Sequence, residues 1–450
     1  MFMEYDPAIY SRILTGLTLG FHILFATVGV GIPIMIALAE WMGLRKNDEH
    51  YRLLARRWAR GFVVTVAVGV VTGTSIGLQL SLLWPNFMQL AGQTISLPLF
   101  METFAFFFEA IFLGIYLYTW DRFKNKALHF IILIPVVIGA SFSAFFITTV
   151  NSFMNAPQGF EITNGVLTNI DPLAAMFNPA TPTKTAHVIV TCYLTSAFVL
   201  GMIAAYKLLK GNNHVYHKKA LHMTMTSAFI FSIATVLIGD LSGKYLAEYQ
   251  PEKLAAAEWH FETETEAPLI VGGVLDDDNN VSYALEIPYA LSVLAHGDPG
   301  SEVIGLEEFP ERDTPPLFVH YLFDGMVAIG MYLFAISGLY VAFSWWKKSW
   351  LSNKWLLRGI FIGGPLSFLA IEFGWVFAEI GRQPWILYGI MRTPEGATTA
   401  DHVDSMLYLF IGLYALLGIS CSLVLRRMYK HNPVEHELEQ RGIESRGDRE

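Results

Sequence analysis

The chain has 450 residues, of which 53% are hydrophobic and only 15% charged, with a formal net charge of −9. Soluble domains carry about 25% charged residues, so the length does not divide into two or three soluble domains. No nucleic-acid-binding footprint, Gly-rich phosphate loop, internal repeat or low-complexity tract is present.

Nine apolar runs reach the roughly 20 residues a bilayer span needs: 11–42, 60–84, 95–119, 127–150, 187–209, 221–243, 318–345, 357–380 and 403–425. The first is too long for the apolar region of a secretory signal, and its basic flank follows it, so it reads as an inserted helix. Its following loop carries Arg45, Lys46, Arg52, Arg56, Arg57 and Arg60, whereas the next, around Pro85 to Gln93, carries no basic residue. The alternation continues with Arg122, Lys124 and Lys126, then Lys184 alone, then Lys207, Lys210, Lys218 and Lys219. Beyond the acidic segment 244–317, Lys347, Lys348, Lys354 and Arg358 restore it. Basic loops stay cytoplasmic. The reading is an all-α polytopic bundle of nine transmembrane helices, N-terminus outside and C-terminus cytoplasmic. Residues 1–243 hold helices one to six, 244–317 an outer loop, 318–430 helices seven to nine, and 431–450 a cytoplasmic tail.

Ionisable residues inside such spans are expensive and are functional candidates by default. His22 lies in the first span, a little inward of its outer end. Glu102 and Glu109 lie in the third; seven residues at ~100° each return nearly to one face, so the two carboxyls form a line pointing inward. Asp121 closes that span at the inner surface. His187 sits near the first turn of the fifth span, His320 and Met326 near the start of the seventh. Glu379 ends the eighth, just before GRQPW (Gly381–Trp385). Depth groups His22, Glu102, His187, Met326 and Glu379 in the outer half of the membrane.

Each has a plainer reading. A single membrane histidine more often packs or hydrogen-bonds, and Met326 is one of sixteen methionines, a residue that fills irregular gaps. His320 reads as a loop-edge residue, His129 and His222 as interfacial ones. Cys192 and Cys421 read as small buried apolar residues, and no CxxCH motif is present for covalent haem. Glu102 is harder to set aside, because a carboxylate in hydrocarbon needs a partner or a proton; Glu109 suits a proton relay. Haem in membrane bundles takes axial His or Met, a His/Met pair suiting electron transfer.

Segment 244–317 has three basic residues against sixteen acidic ones. It reads as a solvated amphipathic surface loop, and its DDDNN tract (Asp276–Asn280) as solvated. Lys253 and Glu258, five residues apart in it, need not face each other. A lysine and an acid at the lipid interface can also hold a quinol ring, the acid serving as base.

Several stretches together resemble subunit I of the cytochrome bd quinol oxidases. They are FHILFATVGVG (Phe21–Gly31), FFFEAIFLGIYLYTWDRF (Phe106–Phe123), GDLSG (Gly239–Gly243), KLAAAEWHFET (Lys253–Thr263), KKSWLSNKWLLRG (Lys347–Gly359) and, most specific, EFGWVFAEIGRQPW (Glu372–Trp385). The resemblance covers nearly the whole chain. It implies that His187 and Met326 are the axial pair of a low-spin haem b. His22 and Glu102 match ligands of two high-spin sites, one haem b and one haem d, or haem b in its place; Glu379 lies beside or on the His22 iron. Glu109 matches a proton-path residue, Trp375 an aromatic near the haems, and Lys253 and Glu258 quinol-binding residues. Two departures stand out: the later half of the outer loop is short, and Asp324 stands where some members have Arg, which bears on how the low-spin haem is tuned.

The implied activity is quinol oxidation at the outer face and reduction of O2 to water, separating charge without pumping, in a bacterial cytoplasmic membrane. The implied partners are a second large membrane subunit and a small single-span one. A haem–copper oxidase would need more membrane histidines, adjacent ones among them, and a bc-type cytochrome b would need paired histidines on two helices. The alternative of another class is a proton-coupled transporter using Glu102 and Glu109.

Overall fold

The structure, a computed structural model, describes residues 5–276 and 279–443. Asp277 and Asp278 of the DDDNN tract, and the tail beyond 443, lie outside the described residues. Among the described residues nine helices are long and apolar enough to cross a membrane. They are α1 Pro7–Lys46, α2 Glu49–Leu83, α3 Pro85–Tyr118, α4 Lys126–Asn155, α5 Thr181–Leu209, α6 Val215–Tyr249, α7 Val319–Trp346, α8 Lys354–Ile380 and α9 Val403–His431.

The helices overrun the apolar runs because hydropathy marks the bilayer, whereas caps mark the helix. Asp6, Asp48, Asn125 and Asn353 each accept a hydrogen bond from a first-turn amide of α1, α2, α4 and α8, which satisfies a donor otherwise left without a partner. Asn47, left-handed at φ 49°, ends α1, so α2 begins at Glu49 rather than at 60. That polar first stretch buries Tyr51, Leu54, Trp58 and Phe62 on one face.

Helices α1–α4 pack as one group and α5–α8 as another; α1 and α4 join the groups through α5, and α9 lies against α1. Small residues permit the closest approaches, as expected where packing rather than hydrophobicity drives association. A Cβ on Gly31 of α1 would fall 2.2 Å from the Cys192 carbonyl oxygen of α5, and one on Gly139 of α4 would fall 2.9 Å from the Glu109 amide of α3.

The largest apolar core runs through Ile36, Phe62, Tyr116, Leu133, Phe198, Met225 and Ile360, and a second through Leu14, Trp84, Phe87, Ile95 and Phe153. The basic loops gather at one end of the bundle: Lys219 pairs with Asp48, Arg56 with Asp121 at 2.8 Å, and Arg57 with Glu437 at 2.6 Å. Segment 244–317 is at the other end and is folded, contrary to the reading of a solvated loop. The short helix Pro251–Glu258 buries Glu252 through Glu258. Leu254, Leu291, Val303 and Leu306 form a core with Val319 and Phe377. Three antiparallel strand pairs (264–265 with 302–303, 269–271 with 285–287, 274–275 with 281–282) close the segment. Alanines 255–257, which carry no amphipathic signal, are what lets this helix sink into the protein.

Candidate functional site

The candidate residues lie on α1, α3, α5, α7 and α8, and His22, Glu102, His187, Met326 and Glu379 are all outside the large apolar core. His22 (α1) faces α2: its Nδ1 lies 2.8 Å from the Thr72 hydroxyl, and a Cβ on Gly73 would sit 3.2 Å from its Cε1. Glu102 (α3) accepts from Ser143 of α4 at 3.0 Å. Glu109, two turns on, is 5% exposed against Gly139. The line of carboxyls expected on α3 therefore packs against α4, and Tyr116, seven residues further, continues it.

His187 (α5) is half-buried beside Gly239 of α6, and neither ring nitrogen has a hydrogen-bond partner among the described residues; Nδ1 is fully buried. Met326 (α7) brings its sulfur to where a Cβ on Gly374 of α8 would be 3.0 Å away. Helix α8 links the groups: Gly374 faces Met326, and Glu372 points at Gly20 of α1, two residues from His22, with 3.5 Å between its Oε2 and a Cβ built there. Glu379 and Trp375 follow on the same helix, both half-buried. No hydrogen bond joins His22, Glu102 and Glu379 to one another among the described residues.

Glu379 is instead the anion of a polar cluster. It accepts from Asn151 of α4 at 2.6 Å and from Arg382 at 2.7 Å. Asn151 in turn accepts from Lys184 of α5 at 3.2 Å. Lys253, 2% exposed, donates to the Ala378 carbonyl at 3.1 Å and lies over the Phe377 ring. Burial, then the neighbouring Arg382, pushes the Lys253 ammonium down to about 7.

Glu258, at the far end of the same short helix, is 0% exposed, and neither carboxyl oxygen has a partner. Burial, and next the Asp324 carboxylate, push it up to about 8. Lys253 and Glu258 thus face different neighbours. Beside Glu258, Trp259 stacks on His320 at 3.9 Å. His320 is 0% exposed, not a loop-edge residue, because the folded segment covers it: its ring nitrogens meet the Ala257 and Gly272 carbonyls at 2.7 and 3.1 Å. Asp324 accepts from the Gly272 amide at 2.5 Å and so ties the outer segment to α7 just above Met326.

His129 also departs from its interfacial reading. It is 1% exposed, with Nδ1 2.9 Å from Glu40 and Nε2 2.9 Å from the Tyr116 carbonyl, while Tyr116 donates to Glu40 at 2.5 Å. Glu40 escaped the sequence reading because it sits in the last turns of a long helix, where an acid passes for an interfacial residue. Glu372 escaped because it was read only as part of a motif. His222 is exposed, and Cys192 and Cys421 are buried and free, as expected.

The arrangement defines a multi-pass membrane protein that carries histidine, methionine and carboxylate side chains within its membrane-spanning helices. Comparison with known proteins gives it a family. The family described as cytochrome bd terminal oxidase subunit I matches residues 10–433. The solved structure of bd oxidase from Geobacillus thermodenitrificans superposes with a TM-score of 0.92 at 66% identity, covering 95% of this chain and 99% of that one. A Bacillus subtilis chain provisionally named cytochrome bd menaquinol oxidase subunit I is 42% identical over 441 residues, 96% of this chain and 99% of its own. A second, named cytochrome bd ubiquinol oxidase subunit 1, is 32% identical over 428 residues, 91% of each. The chain belongs to the cytochrome bd terminal oxidase subunit I family, and the transporter reading finds no support.

Haem is the cofactor expected of this family, and the residues present fit it. Buried polar atoms without partners among the described residues include those of Gln79, Thr94, Thr148, His187, Glu372 and Arg382. Each such orphan is costly in a membrane interior unless a polar ligand meets it.

Proposed function

We propose that this chain is the haem-bearing, quinol-oxidising subunit of a terminal oxidase of a bacterial cytoplasmic membrane, working with a second large membrane subunit and a small single-span one. The carrying observation is the match of residues 10–433 to this family, supported by a His187 whose Nδ1 is buried without a partner and a Met326 sulfur packed against Gly374. His187 and Met326 would hold low-spin haem b. His22 and Glu102 would hold the two high-spin haems, one haem b and the other haem d or haem b in its place, with Glu379 beside or on the His22 site and Trp375 against them. Bound there, haem iron supplies electron transfer and the reduction of O2 to water.

The chain's own residues handle protons. Residues 244–317 form the quinol loop, with Glu258 as the base: a desolvated carboxylate without hydrogen bonds is a strong proton acceptor once ionised. Lys253, at the other end of the same helix, belongs to that loop but reaches inward to α8. Glu109, backed by α4, hands protons along α3 to Glu102 from the end where the basic loops lie. Quinol protons leave on one side and protons for water enter from the other, so charge is separated without a pump.

A visible absorption spectrum of the purified oxidase tests the reading: haem bands are expected, and their absence would sink it. Within it, Glu102→Ala removes or alters one high-spin haem; unchanged haem content and spectrum would overturn that assignment.

A further inference from the structure

The stretch KKSWLSNKWLLRG (Lys347–Gly359) has no part in the haem and quinol sites proposed above. It runs from the C-cap of α7 through a 3-10 turn, Lys348–Ser352, into the first turns of α8. Deeper in the bundle α8 touches α5: a Cβ on Gly364 would fall 2.5 Å from the Met202 sulfur, and one on Gly363 2.7 Å from the Phe198 ring. Nearer the basic end the same two helices leave a groove of about 320 Å3 between them. Tyr206, Leu209 and Lys210 line it from the end of α5, and Lys354, Arg358 and Phe361 from the start of α8. The Tyr206 and Phe361 rings stand 6.0 Å apart in it.

The charge in this groove has one sign. Lys210, Lys354 and Arg358 are exposed, and none has a carboxylate or hydrogen-bonding side-chain partner among the described residues; Lys210 lies over the Tyr206 ring and Arg358 over Trp355. No acid is near along the chain either, which has no Asp or Glu between Asp171 and Asp240 or between Asp324 and Glu372. Other cations of this end are taken up by acids: Arg56 by Asp121, Arg57 and Arg60 by Glu437, Lys219 by Asp48. Orientation in a membrane needs cations at this end. It does not need three of them, from two helices, to converge unpaired on one groove.

Depth says which anion suits them. Trp346 and Trp355 are 80% and 76% exposed, with Trp345 and Trp350 exposed beside them. Exposed tryptophans gather at the level of lipid head groups, where the ring is in apolar surroundings and the N–H meets water. The groove therefore opens at head-group level. Ile203, one turn inward from Tyr206 and exposed, continues its apolar side toward the bilayer centre. Basic pockets between membrane helices take anionic head groups, and the planar fork of an arginine matches two phosphate oxygens.

We propose that this groove binds one anionic phospholipid of the adjoining leaflet, its phosphate held by Lys210, Lys354 and Arg358 and its chains laid against Tyr206, Phe361 and Ile203. The lipid then ties the end of α5 to the start of α8.

The test is native mass spectrometry of the purified multi-subunit oxidase, stripped of lipid in detergent and titrated with phosphatidylglycerol or phosphatidylcholine. The wild type should retain one phosphatidylglycerol that the triple variant Lys210→Gln, Lys354→Gln, Arg358→Gln releases. Affinity should fall roughly a hundredfold, about fivefold per cation, and phosphatidylcholine should not distinguish the two proteins. The three side chains are exposed, so the variant should keep its full haem content. The double variant Lys347→Gln, Lys348→Gln removes cations of the same belt outside the groove and should retain the lipid. Equal retention by wild type and triple variant would overturn the site. So would an equal loss from the double variant, which would leave only the diffuse attraction of a basic belt. Inorganic phosphate as the sole probe should not be retained; its retention would give the groove to a free anion and overturn the lipid. Loss of a small subunit from the triple variant, with phosphatidylglycerol unchanged, would give it to a polypeptide instead. If the triple variant does not accumulate, Arg358→Gln alone, expected to bind about fivefold more weakly, decides.

Discussion

At the scale of single residues, the structure separates groups that the sequence lists together. Met326 is ordinary by composition; its sulfur packed against Gly374 of α8 is what distinguishes it. Met326→Leu keeps the volume, so we expect the protein to assemble and the low-spin bands to turn high-spin; bands unchanged in the reduced spectrum would remove Met326 from the ligands. Glu258 gives a pH prediction. With its carboxyl raised to about 8 by burial and Asp324, it is protonated near neutrality and gains the capacity to accept a proton as pH rises through that value. Rate with saturating O2 and limiting quinol should therefore climb between about pH 7 and 9, and Glu258→Gln should be slow and flat across that range. A wild-type profile that falls there, or a Gln variant that keeps the rise, would contradict the role. The Glu40–His129 contact gives a stability prediction. Nε2 donates to the Tyr116 carbonyl, and Nδ1 shares a hydrogen bond with the Glu40 carboxyl. Breaking such a buried pair costs about 3–5 kcal/mol, so His129→Ala should shorten the half-life of thermal inactivation severalfold with the haem bands of the surviving protein intact.

At the scale of elements, the nine spans were legible because each keeps an apolar run of bilayer length. Helix ends were not: α2 starts in a charged stretch whose buried face, Tyr51 to Phe62, hydropathy averages away. Contacts between helices were not legible either, since partners from different spans leave no local spacing; that α8 serves both Met326 and the neighbourhood of His22 is visible only in three dimensions. The outer helix Pro251–Glu258 was misread as solvated because a run of alanines between charged residues looks the same whether it is covered or not. The close crossing of α1 and α5 carries its own prediction. Gly31 leaves no room for a side chain, with Cys192 O and Ser196 Oγ each 2.2 Å from a built Cβ, and the first of these is backbone that cannot turn away. Gly31→Val should push the two helix groups apart and lower haem content of purified membranes, while Gly29→Ala two residues away, where a Cβ meets nothing within 4 Å, should leave it unchanged. Equal haem content in the two variants would show that the crossing does not matter.

At the scale of the whole molecule, charge is sorted by end. The loops after α1, α3, α5 and α7 carry the clustered cations, and their ion pairs with Asp48, Asp121 and Glu437 tie that end together. The folded segment with its sixteen acids is at the other end. Positive charge near span ends stays on the cytoplasmic side; this is the ground for the proposed direction of the chemistry, with Glu258 at the acidic end and Glu109 deeper toward the basic one. If the acidic end faces outward, oxidation of quinol deposits protons outside and water formation takes them from inside; the reverse orientation would dissipate the gradient. Both native cysteines are buried, so single introduced cysteines report cleanly. Glu286→Cys in the acidic segment should react with a membrane-impermeant maleimide in intact cells, and Lys347→Cys, after α7, should react only once the membrane is opened. Labelling of Lys347→Cys in intact cells with Glu286→Cys protected would invert the topology, and the proposed separation of charge would fail with it.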